Sequence, residues 1–263
     1  MTVYLALLVS GALLGLLFTP LIASASLALG LVDAPGGRKV HLTSVPRIGG
    51  LAVVLAVGLA LAGVIATEQW TGIAAPRLGP LVPILLGTTL VFAVGLVDDF
   101  KTLPASPKLV VQIIAATVIA ASGLLIERLS LGGQTWQLGW WSYPITLAWI
   151  VVLTNGFNLI DGIDGLATGI AVIAGATCAV ILVNRGHAAE AMVLAALVGA
   201  ALGFLVYNFS PASIFLGDGG SLVFGFILAT TAITGWQKGA TALAAADQDS
   251  RAGGAGDDSD SGR

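Results

Sequence analysis

Five aspartates and one lysine stand out in this chain because so little else in it is charged. Asp98 and Asp99 are adjacent in "GLVDDFKTLPASPKLVVQ" (95–112), which also holds Lys108. Asp161 and Asp164 are each followed by glycine in "FNLIDGIDGL" (157–166), and Asp218 lies in the glycine-rich "FLGDGGS" (215–221). Carboxylates gathered at one place repel one another unless a cation neutralises them. Oxygen donors beside a lysine suit Mg²⁺, which is commonly held by one or two carboxylates and completed by substrate phosphates. Mn²⁺ accepts the same ligands. Phosphoryl transfer is the reaction class that depends on such positioning and charge neutralisation.

Local patterns support these residues as a set. On a helix, Leu159, Ile160, Ile163 and Leu166 share an arc of about 120°, with Asn158, Asp161 and Asp164 opposite. Gly162 and Gly165 fall on that polar side, where a ligand approaches backbone unhindered. The competing reading is a pair of Asp-Gly turns. Asn155 and Asn158, just upstream, favour a polar face instead. Lys108 and Gln112, four residues apart, share a helix face. The turn around Asp218 precedes an apolar run, so it presents a helix N-terminus suited to phosphate. The segment "DAPGGRKVHLTSVPRIGG" (33–50) brings Arg38, Lys39, His41 and Arg47 together; by itself it reads equally well as a basic loop that sets topology.

The elements that must position these residues are membrane helices. The 263 residues are 57 % hydrophobic and 10 % charged, with mean hydropathy +0.98, whereas soluble domains are about a quarter charged. A spanning helix needs about 20 mostly apolar residues, and eight runs qualify: roughly 2–30, 49–67, 79–97, 108–126, 142–160, 166–183, 188–206 and 221–236. The expected fold is all-α, a polytopic helix bundle. The first run lacks a basic leader region and a small-residue cleavage site, so it reads as a retained span, kinked or ended near Pro20. Cys178 stands alone, which excludes a disulfide framework. Residues 238–263, rich in Gly, Ser and Asp, have the composition of a disordered tail. They contain five of the fourteen acids.

With eight spans, the other nine acids segregate. Glu68, Glu127 and Glu190 fall on one face, and Asp33 with the five aspartates above fall on the other. Arg38, Lys39, Arg47, Lys101 and Lys108 accompany the aspartates, which places that face in the cytoplasm under the positive-inside rule. Trp136, Trp140, Trp141 and Tyr143 suit an aromatic belt at the outer surface. A transporter would carry its acids near mid-membrane, not at one face.

In order along the chain, "RKVHLTSVPRIGG", "VDDFK", "SPKLVVQ", "NGFNLIDGIDGLATG" and "YNFSPASIFLGDGGS" resemble the motifs of the polyprenyl-phosphate N-acetylhexosamine-1-phosphate transferases. "VPRIGG" is closer to the N-acetylglucosaminyl branch than to the muramoyl-pentapeptide branch. The resemblance implies a UDP-sugar donor such as UDP-GlcNAc, an undecaprenyl- or decaprenyl-phosphate acceptor, release of UMP, and initiation of cell-envelope glycan synthesis. It implies a multi-pass plasma-membrane protein whose partners are these substrates and the bilayer, with a possible homodimer and no nucleic acid. By matching positions, Asp218, Asp98 and Asp99 serve the metal, and Asp98 is the candidate base. Lys108 stabilises the diphosphate, while Asn158, Asp161 and Asp164 shape the nucleotide pocket. Phe215 stacks on uracil, Asn208 lies near the uridine, and Asn155, Arg38, Lys39 and His41 complete the substrate contacts.

The resemblance covers residues 1–237 as a transmembrane catalytic-type domain without the family's last spans. The family's histidine-rich loop (His-x-His-His) has no counterpart, since His41 and His187 are the only histidines. His187 reads as a surface residue. The alternative expectation is therefore an inactive relative that binds nucleotide sugar, lipid phosphate or a partner membrane protein.

Overall fold

The computed structural model describes residues 1–33, 45–71, 78–131 and 134–254, with side chains as far as Gly235 except at 33, 69–71, 78, 130 and 131. Its helices are α1 (Thr2–Ala28), α2 (Gly49–Thr71), α3 (Leu78–Phe100), α4 (Ala105–Ala121), α5 (Ser142–Ile160), α6 (Leu166–Asn184), α7 (Ala188–Asn208) and α8 (Gly217–Gly254). Two small antiparallel pairs join them: β1 (Val32–Asp33) with β2 (Val45–Pro46), and β3 (Arg128–Leu131) with β4 (Gln134–Gln137). Seven helices contain a stretch long and apolar enough to cross a membrane. The protein is a polytopic helical membrane protein, as its composition requires.

Three expectations are refined. α1 does not end at Pro20 but continues through it to Ala28. The fourth span is 17 residues long, starting after Pro104 and ending at Ala121. Gly123, at φ +87°, then turns the chain towards the β3–β4 hairpin, which hydropathy alone did not suggest. The backbone of α8 stays helical past the apolar part of the span, Gly217–Gly235, as far as Gly254. Residues 255–263 of the expected tail, like Arg38, Lys39 and His41, lie outside the described residues.

α7 and α8 form the centre of the bundle. In their apolar windows 78 % and 83 % of residues are buried, against 22 % for α1. α1, α2 and α6 pack around α7, while α3, α5 and α6 pack around α8. Between apolar helices in lipid, association depends on close backbone approach through small residues. The α1–α7 seam shows this: a Cβ on Gly199 would stand 2.2 Å from the Leu8 carbonyl oxygen, and one on Gly203 2.3 Å from that of Ala12. Trp136, Trp140, Trp141 and Tyr143 are all exposed near the start of α5.

Strict alternation of the helices brings the ends that carry Asp33, Asp98, Asp99, Asp161, Asp164 and Asp218 together. Hydrogen bonds described below join these ends directly. Glu68, Glu127 and Glu190 belong to the opposite ends. Because the α1–α7 seam has no room for a side chain, Gly199→Leu is expected to destabilise the protein by about 1–3 kcal/mol, the cost of overpacking. Thermal unfolding in detergent measures this; an unchanged midpoint would show that the seam is not a stability determinant.

Candidate active site

The site forms where the N-terminus of α8 meets the ends of α3 and α5. A helix begins with unpaired N–H groups that need acceptors. Here a carboxylate supplies them. Asp218 N–H donates to Asp99 Oδ1 at 2.8 Å and Gly219 N–H to Asp99 Oδ2 at 3.0 Å. Asp161 lies beside the Gly217 N–H at the same helix start. The phosphate-binding role expected of this helix end is therefore corrected: two of its first N–H groups are already taken by Asp99. Asp99 is 6 % exposed, so it is enclosed by this cap.

The glycines around Asp218 are explained by crowding. Gly217 has φ +77°, and a Cβ there would lie 2.3 Å from the Arg47 carbonyl oxygen and 2.7 Å from Asp99 Oδ1. The start of α2 fits equally closely, since a Cβ on Gly50 would lie 2.2 Å from the Gly220 nitrogen. Gly49 and Gly50 N–H donate to the carbonyls of Phe215 and Leu216 at 3.0 and 2.7 Å, and Phe215 N–H donates to Pro46 O at 2.8 Å. The "PRIGG" and "FLGDGG" segments thus form one backbone-to-backbone junction, with the Phe215 ring half-buried beside it.

Asp98 and Asp218 approach within hydrogen-bonding range of each other. Lys108, at the start of α4, bridges them, with Nζ 2.9 Å from Asp98 Oδ2 and 2.8 Å from Asp218 Oδ2. Asp98 also accepts the Leu103 N–H, which folds the α3–α4 turn over it. Next to this pair runs a series of amide contacts. Gln112 and Asn155 exchange side-chain hydrogen bonds between α4 and α5. Asn158 donates to Ser221 Oγ at 3.0 Å, and Ser221 donates to the Asp218 carbonyl at 3.4 Å. Ser221 was not anticipated, although its place three residues after Asp218 puts it on the same helix face.

Asp164 and Asn208 are placed apart from this cluster. Asp164 Oδ2 accepts the Ala212 N–H at 3.0 Å. Asn208, 3 % exposed, donates to Ile214 O at 3.0 Å and accepts from Thr168 Oγ1 at 2.8 Å. Both hold the loop between α7 and α8. The reason is local: α5 stops at Ile160, residues 161–165 form turns, and Gly165 at φ +71° starts α6. The single polar helix face expected for Asn158, Asp161 and Asp164 does not exist past Ile160, so Asp161 and Asp164 diverge.

Among the described residues no group of three or more His, Cys, Asp or Glu side chains is arranged as a metal cage. The Asp98–Asp218 pair nevertheless has the donor set for Mg²⁺, an ion satisfied by two carboxylates with phosphates and water. That Lys108 sits between the two shows that the pair needs positive charge.

Partly buried Asp161 is pushed up to about 8 from the ordinary 3.8, chiefly by burial and then by the charges of Asp218 and Asp99, with the Gly217 N–H opposing. Between these values the folded protein retains a proton that the unfolded chain releases. Asp161's contribution to stability is complete below about pH 4 and is lost as pH rises through about 8. Thermal midpoints of metal-free protein should fall across that interval, and Asp161→Asn should flatten the fall. A profile identical in the variant would refute the shift.

The comparisons with known proteins agree with this geometry. The family model described as Glycosyl transferase family 4 matches residues 81–236. The chain is 37 % identical over 228 residues to a probable undecaprenyl-phosphate N-acetylglucosaminyl 1-phosphate transferase of Bacillus subtilis, covering 86 % of this chain and 61 % of the relative. It is 34 % identical over 222 residues to a decaprenyl-phosphate N-acetylglucosaminephosphotransferase of Mycobacterium leprae, with 77 % and 54 % covered. A phospho-N-acetylmuramoyl-pentapeptide-transferase of Desulforamulus reducens is 34 % identical over 218 residues, with 75 % and 63 % covered. The chain thus spans between about half and two thirds of the length of these relatives. The matched residues include Asp98, Asp99, Lys108, Asp161 and Asp218, the groups that meet at one end of the bundle, and the chain belongs to glycosyl transferase family 4.

Proposed function

We propose that this protein transfers a sugar 1-phosphate, GlcNAc-1-phosphate, from a UDP-sugar to a polyprenyl phosphate and releases UMP, the step that initiates a cell-envelope glycan. The Lys108 ammonium held between Asp98 and Asp218 carries the reading. It gathers one cation and two carboxylates at a helix-end junction, in a chain whose relatives are named for this chemistry. The basic residues Arg47, Lys101 and Lys108 on the same face support a cytoplasmic site in the plasma membrane.

In the proposed reaction an oxygen of the acceptor phosphate attacks the sugar-bearing phosphorus. A new P–O bond forms, the bond to the uridine phosphate breaks, and UMP leaves with the electron pair. The acceptor phosphate is ionised at neutral pH, so Asp98 need not remove a proton and serves by orienting Lys108. Lys108 neutralises charge on the diphosphate. Asp98 and Asp218 would hold Mg²⁺ or Mn²⁺, which supplies charge neutralisation at the phosphates when bound. Asp99 fixes the N-terminus of α8, and with it Asp218, with Asp161 beside it. Asn158 and Ser221 orient the same turn, Asn155 is held by Gln112 at its edge, and Phe215 offers a ring to the uracil. Asp164 and Asn208 shape the adjoining loop.

The test is direct. Purified protein with Mg²⁺, polyprenyl phosphate and labelled UDP-GlcNAc should yield UMP and labelled lipid. Asp218→Asn and Lys108→Met should each lower kcat by about 100-fold or more, the scale of losing a charge-stabilising group. Binding of UDP-GlcNAc without turnover would make the chain a binding relative. Unchanged rates in both variants would refute the site.

A further inference from the structure

Lys108 touches two carboxylates that belong to different parts of the bundle. Asp98 belongs to the α3–α4 corner, ten residues earlier, and its other oxygen accepts the Leu103 N–H. That contact travels with α4. Asp218 lies at the start of α8, 110 residues further along the chain. That contact depends on how α4 stands against α8.

α4 packs against α3 and α5, and α8 packs against the same two helices. The apolar part of the buried face of α4 is Ala115, Ala116, Ile119 and Ala120. Three alanines make a smooth surface that does little to fix the height of the helix. Apolar contact between helices also gains little over contact with lipid, so hydrogen bonds carry more of the register.

Gln112 supplies them at the aspartate end. It follows Lys108 by one turn on the same helix face and is 1 % exposed. Its Nε2 donates to Asn155 Oδ1 at 3.4 Å, and its Oε1 accepts from Asn155 Nδ2, which also donates to Val151 O at 2.8 Å. Both hydrogens of the Asn155 amide are thus engaged, which makes Asn155 a fixed anchor. One turn further along α5, Asn158 donates to Ser221 Oγ at 3.0 Å. Ser221 in turn follows Asp218 by one turn of α8. α5 therefore holds both halves of the Lys108–Asp218 contact, through Gln112 on α4 and Ser221 on α8.

We propose that Gln112 is a positioning residue: through its amide pair with Asn155 it sets the register of α4 that brings the Lys108 ammonium to Asp218. Gln112 bonds to Asn155 rather than to a carboxylate of the site, so it acts at one remove. Without the pair, Lys108 keeps Asp98, its neighbour at the corner, and loses Asp218. The effect on turnover rests on the proposed reading of Lys108 as the group that neutralises the diphosphate; the effect on the position of Lys108 does not.

The experiment uses the full chain purified in detergent. Gln112→Met keeps the length of the side chain and removes both hydrogen bonds. Acylation by an amine-reactive ester is followed by peptide mass spectrometry, with exposed Lys101 as internal reference. Lys108 should react faster in the variant by about threefold or more, the scale of losing one partly exposed ion pair, with Lys101 unchanged. kcat should fall by about tenfold or more, the lower end of what ångström-scale misplacement costs. KM for UDP-GlcNAc should change by less than about twofold, since no binding contact is removed. In a Lys108→Met background the same substitution should cost no further kcat, because residues that act as a unit are not additive. An equal loss in that background is a general structural effect and overturns the proposal, as does unchanged labelling of Lys108. Labelling needs no turnover: faster reaction of Lys108 in a chain without transferase activity keeps the positioning role and removes the catalytic reading. Gln112→Asn, whose amide has a shorter reach, is read in the same way where Gln112→Met fails to fold.

Discussion

The first turn of α8 is held by a carboxylate, and the rest of the polar end depends on that contact. Asp99, from the end of α3, accepts two of its first N–H groups, those of Asp218 and Gly219, and Asn158, from the end of α5, donates to Ser221 Oγ in the same turn. In one step this satisfies the helix, ties α3 and the end of α5 to it, and fixes the direction of the Asp218 side chain. The interaction is strong because two backbone N–H groups at the positive end of a helix dipole meet one carboxyl group away from water. It also concentrates negative charge. Lys108 between Asp98 and Asp218 is the protein's own answer to that charge, and a divalent cation with bound phosphates is the chemical extension of it.

Bundle architecture follows the same logic of solvation. α8 has the lowest mean hydropathy of the seven spans, 1.2, and the most buried window, 83 %. A lipid-facing helix must be apolar all round, whereas one surrounded by protein tolerates serine, threonine and glycine. The threonines of α8 bond to carbonyls of their own helix, as Thr230 does to Phe226 O at 2.9 Å and Thr231 to Ile227 O at 2.7 Å. Trp149 adds a tie from α5, donating to Ala229 O at 3.1 Å. The helix that carries Asp218 is therefore rigidly surrounded, which suits a group that must hold charge in one place.

The two ends of the bundle differ in how their acids are engaged. At the aspartate end the carboxylates are mostly engaged, by helix N–H groups and by Lys108. At the other end Glu190 is buried beside a half-buried His187, its ion-pair partner at 3.7 Å. Both arrangements arise because helix ends meet there, so polar side chains at either terminus are pressed together by the apolar packing between them.

From the sequence alone, the membrane class, the number of apolar runs and the segregation of aspartates from glutamates could be read, because lipid imposes a length and a composition on every span. The motifs also marked Asp98, Asp99, Lys108, Asp161, Asp164 and Asp218 as a set, of which Asp164 turned out to hold the neighbouring loop instead. Periodicity misjudged "FNLIDGIDGL", since a helical wheel assumes the helix continues, and it ends at Ile160. Which aspartate caps a helix, which meets the lysine and which supports a loop was decided by tertiary structure. So was the central place of α8, and the pairing of His187 with Glu190. These depend on which helix ends touch, and a local pattern of residue types carries no information about contacts between segments more than a hundred residues apart.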